Sequence, residues 1–572
     1  MIDKSQVARI LDDCGTLLAL KGENDFRCRA YHNACRAIEQ YEGDFVGKAQ
    51  RGELEHIPGI GDTLKTKIHE IVTTGKLEFL EKLKKEIPAG LVEMLKIAGL
   101  GPKKIAVLHQ DLNITTVAEL QKACEAGTIA SLKGFGEKTQ AKILEGIAFL
   151  DKVGHRFLID AAERVGVQLL ELVRGVSGVQ RSELCGSLRR RKETVADLDV
   201  LVSARNPAAV MTAFVKAPDV IQVLVHGDTK SSVILQGGIQ ADLRVVADES
   251  FAFALHYFTG SKEHNIAMRQ RAIDQGLRLN EYALEGSKKK LKAHTEEDLF
   301  AHLGLEYIPP ELRENTGEIA AAEAKKLPEL IEYDDLVGTL HCHTIASDGA
   351  HTLEEMALAA RALGLKYLGI GDHSQSFKLA NGLSPERIRQ QWKQIDTLNA
   401  KFQGFQLLKG TECDILPDGT LDYPDKMLAA FDYVVASVHT HFTLSREQQT
   451  ERIIRAMRHP SVDILGHATG RLLLRREGYP LDLDTVMKVA AETGTVIEIN
   501  AHPARLDLDW LHVKQAKALG VKFAINPDAH AIDEIALLKY GIDVARRGWL
   551  TKDDVINTRD WNKARALLKR SR

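Results

Sequence analysis

Residues 185–202 read CGSLRRRKETVADLDVLV, and this stretch decides the fold around it. From Asp197 to Val202 carboxylates give way to apolar residues at the period of a strand, so Asp197 and Asp199 project from one face. Eleven residues before Asp197, Gly186-Ser187 predicts a turn, and an arginine pair, Arg189-Arg190, follows it. A second strand, Gln240 to Val246, supplies a third carboxylate, Asp242. Three carboxylates can hold two Mg²⁺ ions about 3.5 to 4 Å apart, one activating an attacking hydroxyl and the other neutralising a triphosphate during in-line displacement. That is nucleotidyl-transfer chemistry. An isolated Asp-x-Asp would read as a solvated edge strand; the turn, the arginines and Asp242 favour the site.

Outward from this stretch, residues from about Asp151 to Tyr307 alternate strands with helices and form an α/β module. Before it, an apolar-x-Gly-apolar-Gly unit recurs at Ile57-Pro58-Gly59-Ile60-Gly61, Ile97-Ala98-Gly99-Leu100-Gly101 and Leu132-Lys133-Gly134-Phe135-Gly136, each followed by a helical, lysine-bearing segment. Two glycines around an apolar anchor make a tight turn, and the backbone N–H groups that open the next helix can face a phosphate. This is the helix-hairpin-helix device, which holds a DNA backbone without reading its sequence. Pro309 to Asp335 is rich in Pro, Glu, Ala and Lys and reads as a tether with a short helix.

Beyond it come seven apolar runs with polar endings: Val337 to His341, Tyr367 to His373, Leu407 to Glu412, Tyr433 to His439, Val462 to His467, Val496 to Asn500 and Phe523 to Asp528. Alternating with helical patterns, they predict a parallel α/β barrel whose polar endings meet at the strand C-termini. His341 and His343 lie on one side of an extended segment, and Asp348 follows in a loop. Later endings add His373, Glu412, His439, His467, Asp528 and His530. Nine such ligands exceed the needs of one ion and predict a cluster of two or three metals; the mixed nitrogen and oxygen set suits Zn²⁺, Mn²⁺ or Fe²⁺. Such a cluster generates hydroxide and clamps phosphate oxygens. Asp372 and Asn500 can orient ligands from behind, and His502 or Arg505 can touch phosphate or serve in packing.

The 572 residues suffice for several domains, and 76 Lys and Arg against 79 Asp and Glu give a net charge of −3, so any polyanion site is local. No apolar run reaches the ~18 residues of a membrane helix, and the N-terminus carries no secretory pattern, which predicts a cytoplasmic protein. Seven cysteines without a CxxC pair predict reduced thiols.

The first 310 residues resemble the family X DNA polymerases, the Pol β-like group, through Gly186 to Arg190, Asp197 to Asp199, His226-Gly-Asp-Thr-Lys230, Asp242-Leu-Arg244, Tyr257-Phe-Thr-Gly-Ser261, Asn265 to Arg269 and Asn280-Glu-Tyr282. The resemblance implies that Asp197, Asp199 and Asp242 are catalytic metal ligands and that Gly186, Ser187 and Arg190 meet the incoming triphosphate. Tyr257, Phe258 and Gly260 would lie along its sugar, and Asn265 and Arg269 near the nascent pair; on residue type alone, the aromatic pair also suits a core. Lys67 matches the family's Schiff-base lysine, while Thr63 stands where another phosphate-site lysine is usual, and a solvated helix lysine is the other reading. Arg27, Tyr31 and Lys67 would bind a 5′-phosphate.

Residues from about 335 to 570 resemble the polymerase and histidinol phosphatase (PHP) domain, in which those nine ligands are held in a distorted seven-stranded barrel; Asp348 stands where some members use His. In bacterial family X polymerases this domain supplies 3′-5′ exonuclease and, in some members, AP endonuclease or 3′-phosphatase activity. The implied fold is a multidomain α and α/β chain: 1–85 an 8-kDa-like helix-hairpin-helix domain, 86–150 fingers-like, 151–240 the start of the palm, 241–308 its end and the thumb, 309–335 the linker and 336–572 the PHP domain. The implied function is short-gap filling in base excision repair with 3′-end trimming. Mg²⁺ or Mn²⁺ would serve the polymerase site. Gapped or nicked DNA with a primer 3′ end and a 5′-phosphate, and dNTPs, would be the partners of a bacterial, nucleoid-associated monomer that binds no membrane. The alternatives are a 3′-end nuclease or phosphatase with feeble polymerisation, and a DNA-end scaffold with structural metals.

Overall fold

The computed structural model describes residues 4–571 except 40, 42, 43, 55, 56, 58, 98 and 287–289, and the side chains of these save 5, 39, 152 and 153. Pro58 and Ala98 of the repeated turns therefore lie outside the described residues. The chain forms two compact units, residues 1–154 and nearly all of the stretch from His155 to Arg572. Among the described residues no helix is long and apolar enough to cross a membrane.

The first unit is helical. Its opening helix, Lys4–Leu20, buries Val7, Leu11, Cys14 and Leu18, three or four residues apart, as one stripe. Three later helices begin directly after a repeated turn: Asp62–Thr74 after Gly61, Pro102–Leu112 after Gly101 and Glu137–Val153 after Gly136. Among the described residues no side chain caps these N-termini, so their first N–H groups are left for water or a ligand. Gly59, Gly99 and Gly134 have φ of 80° to 91°, which is where glycine is needed.

In the second unit a five-stranded sheet runs in the order Val179–Leu184, Asp197–Ala204, Gln240–Val246, Lys230–Leu235, Val220–His226. Along Asp197–Ala204 the alternation sorts side chains to two cores. Leu198, Val200 and Val202 pack with Ile159, Ala162 and Leu169 of the helix Ile159–Arg174. Leu201 packs with Phe251 and Ala254 of the helix Phe251–Thr259 on the opposite face, and Asp197 and Asp199 share that face with it. A third core, built from Phe253, Met268, Leu299 and Phe300, holds the helices Lys262–Asp274 and Glu296–His302 together.

The segment 309–335 departs from the expected tether. It has its short helix, Glu318–Glu323, but it is packed: Arg313 and Glu318 are fully buried. Arg313 lies over the rings of Phe300 and Tyr307 and pairs with Glu296, and Glu318 accepts from His264 Nδ1 at 2.7 Å. Charges that read as solvated in sequence are satisfied by one another.

From Gly338 the chain forms short parallel strands. Gly338–Cys342, Tyr367–Ile370 and Gln406–Leu408 make one sheet; Glu412–Asp414, Val435–Ser437, Ile464–Leu465, Val496–Asn500 and Phe523–Asn526 make another. A bridge from His373 to Glu412 joins the two, and one from Cys342 to Ala529 closes the ring. The expected segment Leu407 to Glu412 is thus split, so the seven strand positions carry eight short strands. Its second part begins at Glu412, which turns that carboxylate into the barrel mouth. All seven cysteines are buried.

Candidate active sites

On the five-stranded sheet Asp199 and Asp242 are register partners across parallel strands, and Asp197 stands two residues before Asp199. Gly186 opens the short helix Gly186–Arg189 with φ +63°, and a Cβ there would come 2.2 Å from Asp199 Oδ2. Only glycine lets the backbone of this turn approach the carboxylate so closely. Burial, then the neighbouring Asp197 and Asp242, push the Asp199 carboxyl up to about 7. Burial also acts against charge on Asp242, but Lys230, 2.7 Å away, and Gln240 outweigh it and hold that carboxyl below its ordinary range. A raised Asp199 paired with a lowered Asp242, with Asp197 two residues away on the same face, is an arrangement of carboxylates that can accept cations.

A cavity of about 460 Å³ lies against this edge. Gly186, Ser187, Arg190, Asp197, Asp199, Tyr257, Phe258, Gly260, Asn265 and Arg269 all line it, so the structure brings the expected nucleotide-binding residues together. Asp242 is not among the lining residues; it stands beside the lining residue Asp199 as its register partner. The Asn265 amide donates to the Tyr257 carbonyl at 2.7 Å, and Arg269 lies over the Tyr257 ring, which fixes the cavity's aromatic wall. Arg156, Lys192 and Lys262 also line the cavity; the first two were not singled out in sequence. Lys230, though part of a quoted motif, was given no role; a lysine opposite an Asp strand was its signal.

At the barrel mouth Glu412 is the hub. Its Oε1 lies 2.8 Å from His467 Nε2 and 3.2 Å from His439 Nε2; its Oε2 lies 2.9 Å from His373 Nδ1 and 3.4 Å from His341 Nε2. Three groups offer ligand atoms within 4.8 Å of one another: His343, Asp348, His373 and His530; His341, His343 and Asp528; His373, Glu412 and His439. His343 and His373 belong to two groups each, and His467 joins through Glu412, so all nine expected ligands converge.

The donor set fits metal ions. Among the described residues, His341 Nε2, both nitrogens of His343, His373 Nδ1, Glu412 Oε2 and His467 Nδ1 are buried and make no well-aligned hydrogen bond despite their close contacts, which is costly unless a cation takes their lone pairs. Burial opposes charge on the His373 and His530 rings, yet Glu412, Asp348 and Asp528 outweigh it and raise them to about 10 and about 9. Burial, then the His530 and His373 rings, push His343 the other way, down to about 3, so the carboxylates favour positive charge on two of these rings and a neutral imidazole between them.

Further residues aim these ligands. His341 Nδ1 lies 2.7 Å from Glu498 and His439 Nδ1 2.6 Å from Asp414; with the proton assigned to Nδ1 in each, Nε2 is left as the ligand atom. Asn500 donates to Asp528, and Arg505 Nε lies 3.5 Å from the same carboxylate. Asp372 accepts from the Thr344 N–H and from Ser347, beside ligands His343 and Asp348. The His502 ring instead accepts from the Ala504 N–H. Glu498 and Asp414 were missed in sequence, although each stands on a strand two residues from a residue that was named, Asn500 and Glu412.

In the first unit Arg27, Tyr31 and Lys67 gather around Phe79, with the Lys67 ammonium 3.8 Å from the ring centre. Burial lowers Lys67 from its ordinary value. Gly61, Gly99, Gly101, Gly134 and Gly136 face open space.

Residues 254–314 match the DNA polymerase beta thumb family and 339–502 the PHP domain; 2–77 match a helix-hairpin-helix domain and 91–148 a SAM-like helix-hairpin-helix tandem. The chain is 41% identical over 572 residues to the DNA polymerase/3'-5' exonuclease PolX of Bacillus subtilis (strain 168), covering 99% of this chain and 100% of the relative. It is 33% identical over 247 residues, 41% of this chain and 95% of the relative, to a probable phosphatase of Thermoanaerobacter sp. (strain X514). A probable phosphatase of Caldanaerobacter subterraneus is 30% identical over 234 residues, covering 39% of this chain and 87% of the relative.

Proposed function

The chain belongs to the bacterial family X DNA polymerases that carry a PHP domain, and from that premise we propose that it fills short gaps during base excision repair and trims 3′ ends. It is a DNA polymerase and a 3′-5′ exonuclease, and its helix-hairpin-helix and thumb regions bind DNA and dNTP substrates. The observation that carries the assignment of the polymerase site is the pairing of Asp199 with Asp242 at the wall of the 460 Å³ cavity.

In this reading Asp197, Asp199 and Asp242 hold two Mg²⁺ or Mn²⁺ ions, which when bound neutralise the triphosphate and favour ionisation of the primer hydroxyl. Ser187, Arg190 and the Gly186 backbone hold phosphate oxygens, Tyr257, Phe258 and Gly260 wall the sugar, and Asn265 and Arg269 position the nascent pair. The nine barrel residues hold two or three Zn²⁺, Mn²⁺ or Fe²⁺ ions for phosphodiester hydrolysis. The opened helix N-termini at Gly61, Gly101 and Gly136, with Gly59, Gly99 and Gly134 before them, hold the DNA backbone. Arg27, Tyr31 and Lys67 receive the 5′-phosphate of a gap, and the lowered Lys67 amine suits attack on an abasic-site aldehyde. The protein works as a cytoplasmic monomer on nucleoid DNA, without membrane contact. Likeness of the barrel region to probable phosphatases supports 3′-phosphate removal as a further activity of that site.

The test is a labelled one-nucleotide gapped duplex with a 5′-phosphate, incubated with Mn²⁺ with and without dNTPs. Asp197→Ala should lose extension alone and His341→Ala degradation alone; loss of both activities in either variant would refute two separate centres.

A further inference from the structure

The turn after Ser187 carries three consecutive arginines, each paired with a different carboxylate of the second unit. Arg189 donates to Glu296 at 2.7 Å and to the Thr259 hydroxyl at 2.6 Å. Arg190 donates through Nε to Glu314 Oε1 at 3.0 Å and through Nη1 to the Thr259 carbonyl at 2.5 Å. Arg191 reaches Glu163 and Asp543, each at 2.6 Å. Arg191 has φ +56°, a conformation that costs a side-chain-bearing residue of order 1 kcal/mol and persists where the surroundings over-determine it.

Much of that determination comes from the PHP domain. Its helix Leu538–Arg547 carries Asp543 and Arg547 one turn apart on one side. Arg547 is fully buried, lies over the Trp510 ring, donates to the Arg190 carbonyl and reaches Glu314 Oε1 with both terminal nitrogens at 3.2 Å. One carboxylate oxygen is thus shared by the Arg190 and Arg547 guanidiniums. Burial pushes the Glu314 carboxyl up, but Arg547 and Arg190 outweigh it and keep it ionised. With Nε and Nη1 engaged, Nη2 is the Arg190 nitrogen without a hydrogen-bond partner among the described residues, and Arg190 lines the cavity beside Asp197 and Asp199.

We infer that Asp543 and Arg547 of the PHP domain are positioning residues for polymerisation: through the Arg190 carbonyl, Arg191 and Glu314 they hold the Arg190 guanidinium with one edge turned to the incoming triphosphate. The inference rests on the phosphate-binding role of Arg190 proposed above. A guanidinium already fixed by Glu314 and Thr259 loses little freedom when it engages phosphate, so nucleotide affinity is what the clamp raises. The alternative chemistry is competition, in which Glu314 withholds Arg190 from the triphosphate.

The two are separated by dNTP kinetics on the one-nucleotide gap with full-length Arg190→Ala, Glu314→Gln, Arg547→Lys, Arg547→Ala and the Arg190→Ala/Arg547→Ala pair, with exonuclease rate and Tm measured on each. Arg547→Ala and the near-isosteric Glu314→Gln should raise KM for dNTP roughly tenfold, the loss expected for one oriented charge-assisted contact. Affinity for gapped DNA and the exonuclease rate should stay within about twofold, and Arg547→Lys should recover part of the loss. In the Arg190→Ala background Arg547→Ala should add nothing, which a general loss of stability would not reproduce. A lower KM in Glu314→Gln, or additive effects in the double variant, overturns the inference. KM raised in Arg190→Ala but unaltered in both Glu314→Gln and Arg547→Ala removes the inference alone; KM unaltered in Arg190→Ala removes the reading beneath it as well.

Discussion

Asp199 and Asp242 face one another across two parallel strands, yet one carboxyl is raised to about 7 while the other is held low by Lys230 at 2.7 Å. A raised acid favours its protonated form in the fold, so the metal-free protein loses stability as pH rises from the ordinary carboxylate range through about 7. Cation binding must displace that proton. The Mg²⁺ concentration for half-maximal extension should therefore fall between pH 6 and pH 8, by up to about tenfold, and flatten above pH 8. Asp199→Asn should lose at least about 10³ in extension rate and keep exonuclease activity. A primer-extension titration across pH reads both.

Gly186→Ala places a Cβ 2.2 Å from Asp199 Oδ2 at φ +63°. Either the carboxylate or the phosphate loop must shift. Extension should fall by about 10² or more, because a displacement near 1 Å at the reacting groups has that cost. Tm should drop by only a few degrees, and degradation of 3′ ends should continue. Wild-type extension rates in this variant would show that the loop and the carboxylate are not closely coupled.

Glu498 touches His341 from behind, at 2.7 Å. Glu498→Gln keeps the shape and removes the charge that fixes the ring, so metal affinity of the barrel site should weaken by about 10 to 100-fold. Exonuclease activity should return at high Mn²⁺, whereas His341→Ala should remain inactive at any concentration. Metal titration of both variants distinguishes a support from a ligand.

Stripping divalent ions should lower the Tm of the barrel. Buried atoms that make no well-aligned hydrogen bond among the described residues, such as His341 Nε2 and Glu412 Oε2, gain favourable partners when cations enter. A metal at 100 times its Kd adds about 2.7 kcal/mol to the folded state. Calorimetry before and after chelation, with metal restored, should show that recovery, and His341→Ala should blunt it.

What was legible in sequence is what local periodicity encodes. The two-residue spacing of Asp197 and Asp199 requires a shared face in any strand, and apolar runs ending in His or Asp require those endings to meet once the strands are parallel. Pairings between distant segments were not legible. Nothing near Glu498 says that it meets a histidine 157 residues away. Arg313, Glu318 and Arg547 look like ordinary surface charges in helical or tether-like sequence, yet each is fully buried, because its partner lies on another element. Ion pairs of this kind leave no periodic trace.

The bridge that closes the barrel joins Cys342 to Ala529, about 190 residues apart in the chain. At roughly 5–20 residues per second, a ribosome needs on the order of 10–40 s to deliver the second partner after the first. Throughout that interval the strand Gly338–Cys342 has one edge with no neighbour, a period when a nascent chain can pair with the wrong partner. Asp543 and Arg547 emerge later still. The turn that carries Arg190 is synthesised early but acquires its contact with Arg547 only 357 residues later, so a chain released before that point would hold every polymerase carboxylate and lack the clamp on its phosphate loop.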